Sequence, residues 1–88
     1  MTHKLVNKLF EEYNDFKDYK KMYEHCTDAT AKATIRKIME DEFHHYKYLY
    51  DLVFVNADMS KMTDIEKAVH EYATHLHHEM SECMAKLK

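Results

Sequence analysis

Glu12, Glu42 and His45 are metal-ligand side chains standing where a helix-packing seam calls for apolar residues. Read as a helix, the first 26 residues place Leu5, Leu9, Glu12, Phe16, Tyr19, Tyr23 and Cys26 along one stripe. Residues 29–57 repeat the pattern with Ala31, Ile35, Ile38, Glu42, His45, Leu49 and Leu52. Each stripe is amphipathic, and each is interrupted at mid-length by oxygen or nitrogen donors. A lone ionised carboxylate in such a seam costs several kcal/mol unless it is paired or coordinated. A small domain has a net stability of only about 5–15 kcal/mol, so these intrusions need a compensating partner. A metal ion is the simplest one. A hydrogen-bonded polar layer that sets helix register is the alternative.

The spacing brings the three together. Glu42 and His45 form Glu-x-x-His, which puts a carboxylate and an imidazole on one helix face. The chain must reverse near Thr27–Asp28, and Glu12 lies 15 residues before Thr27 while Glu42 lies 15 residues after it. His45 follows about one turn beyond Glu42. In an antiparallel hairpin all three reach the same height.

The elements that must hold them are all helical. The 88 residues contain no Gly and no Pro, which removes the usual chemistry of tight β connections and of glycine-rich phosphate loops. We expect one all-α domain over residues 1–88, with helices at about 2–26, 29–57 and 63–86. Thr27, Asp28 and Thr30 offer N-cap oxygens for the second helix. Thr63-x-x-Glu66 is a capping box, so the third helix starts at Asp64 with a seam of Ile65, Val69, Tyr72, Leu76, Met80, Cys83 and Leu87. Helices of about 25 residues run about 37 Å, too long for a compact globule of this size. They suit a bundle that shares its core with a second chain.

At this point the residues resemble a known family. One Glu on a first helix followed by Glu-x-x-His on the next resembles half of a ferritin-like di-metal carboxylate bundle. Glu12-x-x-Asp15 then Tyr19, and Asp41-Glu42-Phe43-His44-His45 then Leu49, are similar to the first two helices of rubrerythrin-like chains. The likeness covers roughly residues 5–57. A second Glu-x-x-His is missing from the chain, whereas the single-chain version carries two hairpins. Half-length, encapsulin-associated members look similar and complete the site by dimerising. The resemblance therefore implies a four-helix bundle built by a homodimer or larger even oligomer, with Glu12, Glu42 and His45 as metal ligands. It implies iron, with manganese or zinc as other candidates, and Fe(II) oxidation by O2 or peroxide. The other reading is a non-catalytic helical oligomerisation protein with a structural metal or none.

Helix 3 carries a further stripe, Glu71, His75, His78 and Glu82, at four-three-four spacing. It reads either as a secondary metal site or as a solvated face. His44, His70 and His77 have no ligand-spaced acid on their seam and read as surface residues. Tyr19, Tyr46 and Tyr50 near the main site read as seam fillers or, less simply, as electron relays. The formal net charge of −3 disfavours nucleic acid as a partner. No apolar run approaches a membrane span, and the N-terminal stretch has no apolar signal-peptide core. A cytoplasmic protein with no membrane partner is expected, in which Cys26 and Cys83 are free thiols.

Overall fold

A computed structural model describes residues 3–55 and 57–87 of the chain. It is all-helical: α1 spans His3–His25, α2 spans Ala29–Phe54 and α3 spans Asp64–Lys86, with a 3-10 turn at Met59–Lys61. Among the described residues there is no strand. The principal dimensions are 49 × 22 × 17 Å, a short rod.

Local chemistry sets the ends of these helices. Asp28 is the N-cap of α2, and its carboxylate accepts from the Ala31 N–H at 2.8 Å, which satisfies a donor the helix leaves unpaired. The reversal between α1 and α2 therefore needs only Cys26–Asp28 and no glycine. Thr63 and Glu66 form the expected capping box, each side chain meeting the other's backbone N–H at 3.1 Å. α3 begins at Asp64, as the sequence predicts. α2, expected to reach residue 57, ends at Phe54, and Asn56 lies outside the described residues. The Ala57 N–H turns back to the Phe54 carbonyl at 3.1 Å. Asp58 then caps the following turn, accepting from the Ser60 N–H at 3.0 Å and the Ser60 hydroxyl at 2.6 Å. A short acid this close to the helix end competes for backbone donors and stops the helix early.

α1 and α2 form the tight hairpin, and α3 lies along one side of it. The core is Leu9, Tyr13 and Phe16 from α1, Met39, Tyr46 and Phe54 from α2, and Ala73, Leu76, Met80 and Met84 from α3. This differs from the expected seams in a regular way. On α2 the fully buried positions are Met39 and Tyr46, while Ile35, Ile38, Glu42 and Leu49 are half-buried and Ala31, His45 and Leu52 are exposed. On α3, Ala73 and Met84 are buried, whereas Ile65 is 77 % exposed and Tyr72 is 52 % exposed. α2 carries two apolar stripes, and α3 covers the one made by Met39, Phe43, Tyr46, Tyr50 and Phe54. The stripe that contains Glu42 and His45 faces away from α3.

Candidate metal centre

Glu12 is held at mid-length of α1, and Glu42 and His45 sit one turn apart on α2. The hairpin brings one ligand atom from each to within 4.8 Å of the others. His45 Nδ1 lies 3.7 Å from Glu12 Oε2. The site grades from wet to dry: the His45 side chain is 55 % exposed and that of Glu12 is 16 % exposed. Glu42 Oε2 is buried and accepts no hydrogen bond.

That burial is the main cause of a raised Glu42 carboxyl, pushed from its usual 4.5 to about 7. The negative charge of the neighbouring Glu12 adds to it, and the charges of Asp15 and Asp41 act in the same direction. Two carboxyls this close in a partly dry seam can share a proton or hold a cation between them. The donor set of two carboxylates and an imidazole fits iron, manganese or zinc. The orphaned Glu42 oxygen is the atom an ion would satisfy. The neighbouring acids are less well placed: Glu11 is exposed and paired with Lys8 at 3.3 Å, and Asp41 points to solvent.

The α3 stripe does not gather in the same way. Glu71, His75, His78 and Glu82 are all exposed, and the contact formed is His78 Nε2 to Glu82 Oε1 at 3.0 Å. Among the described residues, Glu12, Glu42 and His45 are the one group of three or more such side chains that converges.

Two histidines expected at the surface are instead packed between α2 and α3. The His77 ring stacks on Phe43 at 5.5 Å and on Tyr50 at 5.8 Å, with its Nε2 buried and unpartnered. Burial holds its pKa below the usual value, helped by the nearby charge of Lys47 and opposed by Asp51. His70 meets the Phe54 ring edge-on at 4.6 Å, and its Nε2 lies 3.3 Å from the Tyr50 hydroxyl. The signal was available: His70, Ala73, His77, Met80 and Met84 follow three-four spacing and define the buried face of α3. Tyr46 and Tyr50 belong to the same layer. The Tyr46 hydroxyl donates to the Ala73 carbonyl at 2.6 Å, and Tyr50 meets the Thr74 hydroxyl at 2.7 Å. Both rings therefore pin α3 in place. Cys26 and Cys83 are free and half-buried, and no helix among the described residues is long and apolar enough to cross a membrane.

Compared with known protein families, curated proteins and solved structures, the chain matches none.

Proposed function

We propose that the protein is a half-length ferritin-like di-metal carboxylate protein. Two chains pair across the hairpin face that α3 leaves open, and each contributes Glu12, Glu42 and His45 to a shared pair of iron ions. The observation that carries this reading is the approach of those three side chains to within 4.8 Å, from two helices, on a face lined by half-buried Leu5, Ile38 and Leu49 and by exposed Leu52. One hairpin holds too few ligands for two ions, and among the described residues exposed Leu52 on its flank has no cover. Pairing as a homodimer or larger even oligomer meets both needs and yields a four-helix bundle. Glu12 and Glu42 would supply oxygen ligands and His45 a ring nitrogen. The iron pair would supply Fe(II) oxidation by O2 or peroxide, and manganese or zinc would suit the same donors.

Replacing Glu42 by Leu separates ligand from scaffold. It removes an oxygen donor and a half-buried carboxyl together, and exchanging an ionisable group in a packed seam for an apolar one is often neutral or stabilising. Metal content by mass spectrometry should fall below one ion per chain, with Fe(II) oxidation lost and the metal-free protein at least as stable as wild type. Glu71→Leu should leave the stoichiometry unchanged. Full metal content and oxidation in Glu42→Leu would sink the assignment, as would a stable folded monomer in light scattering at micromolar concentration.

The second reading, a non-catalytic oligomerisation protein, draws on the Glu42 carboxyl near 7. A proton shared with Glu12 would let the pair serve as a register device with no ion at all. Metal-free protein after chelator-free purification, with a melting temperature indifferent to added iron, is the result that reading requires.

A further inference from the structure

An open apolar groove of about 620 Å³ runs between α1 and α3, on the flank of α1 away from Glu12. Phe10 of α1 and Tyr72 of α3 meet edge to face across it at 5.8 Å. It continues past Ile65 and Val69, which it shares with an adjoining hollow of about 340 Å³ that reaches Val6. From Val6 to Lys17 the α1 wall is 12 residues long, or about 16 Å at the helical rise. Besides the hydroxyls of Tyr13 and Tyr72, the larger groove has two polar lining residues, Asn14 and Lys17, and they lie one turn apart at its far end. Both are hydrogen-bond donors. Lys17 Nζ rests 5.6 Å over the Tyr13 ring and forms no ion pair with a described carboxylate. Glu79, which lines the next hollow together with Lys17, already accepts from the Tyr13 hydroxyl at 2.9 Å. Lys20 and Lys21 line the next hollow beyond Lys17, together with Glu24 and Glu79.

The larger groove has no acid in its lining and carries Lys17 and Asn14 at its far end, which makes it complementary to an extended alkyl chain ending in a carboxylate. In the adjoining hollow the Glu66 carboxylate is already engaged by the Thr63 N–H at 3.1 Å. We propose that this groove binds a long-chain monocarboxylate of the fatty-acid type. Its head lies between Asn14 and Lys17, and its chain runs over Tyr72, Val69 and Ile65 toward Val6. Lys17 supplies a charge-assisted hydrogen bond, and the chain covers apolar surface that the fold leaves open to water. The site is separate from the metal centre and stands or falls without it.

Isothermal titration with decanoate, laurate and dodecanol on the full chain tests the proposal. Laurate should bind saturably at one site per chain, about two- to four-fold more tightly per added methylene across the acid series. Lys17→Glu should weaken laurate at least about ten-fold while leaving dodecanol unchanged. Ile65→Glu, at a position exposed enough not to disturb folding, should weaken both; circular dichroism of each variant checks that it remains helical. Three results would overturn the proposal. They are no saturable laurate binding, laurate affinity indifferent to Lys17→Glu, and a drop in assembly size on Ile65→Glu in light scattering, which would place a second copy of the chain in the groove.

Discussion

Melting metal-free protein at several pH values, beside its Glu42→Gln variant, tests whether Glu42 is as dry and as crowded as its surroundings imply. Burial and the neighbouring Glu12 hold the folded-state carboxyl near 7, against 4.5 for the free side chain. Below pH 4.5 the group is protonated in both states and contributes nothing to the balance. Between 4.5 and 7 the unfolded chain releases the proton while the folded chain keeps it. The folded state then binds more protons, so stability falls as pH rises through this window. At about 1.4 kcal/mol per pH unit the loss is capped at about 3 kcal/mol. The layer is open to water on the side of His45, which is 55 % exposed. Solvent screening on that side brings the expected loss to about 1–2 kcal/mol. For a domain of this length that is a fall in Tm of about 5–15 °C between pH 4.5 and pH 8. Glu42→Gln cannot ionise and should lack this component. Asp58 and Glu66, whose carboxyls are held below their usual values by the caps they form, titrate alike in both proteins and cancel. Added Fe(II) or Zn(II) should reverse the wild-type trend, because ligands must be deprotonated to bind and affinity rises with pH. The measurement is a thermal scan by circular dichroism in chelator at each pH. Superimposable pH profiles for wild type and Glu42→Gln would refute the reasoning.

Three further substitutions probe how α3 is held. Tyr46→Phe removes the donor to the Ala73 carbonyl at 2.6 Å and should cost about 1–2 kcal/mol in urea unfolding; an unchanged midpoint would mean the bond does not hold α3 in place. His77 sits among Phe43, Tyr46 and Tyr50 with a depressed pKa, so stability should be lost as pH falls below about 6.5, where the unfolded imidazole protonates and the folded one resists. His77→Phe should keep the stack and flatten that acid limb, and a variant as acid-sensitive as wild type would place the cause elsewhere. Thr63→Ala breaks the capping box and should cost about 1 kcal/mol, with amide exchange rising first at Asp64–Glu66.

Much of this molecule was legible one residue at a time. Asp28 and the Thr63–Glu66 pair announce two helix starts because capping is local: a side chain needs only the backbone donors two or three residues ahead. The meeting of Glu12, Glu42 and His45 was legible too, since a three-residue reversal with no glycine leaves little freedom in how two long helices align. Leu9 and Phe16 on α1 and Leu76 and Met80 on α3 are buried as their seams predict, but which stripe of α2 would be buried was not legible. α2 is apolar on two adjacent faces, and periodicity ranks both; the choice fell to α3, which packs over Tyr46, Tyr50 and Phe54 and leaves the Glu42 face to the outside. His70 and His77 show the same limit. As residue types they belong at a surface, and the aromatic rings supplied by α2 are what packs against these half-buried imidazoles. Local hydrogen bonding and helical repeat are properties of the chain, whereas burial is a property of what a third element covers, and tertiary packing alone decides that.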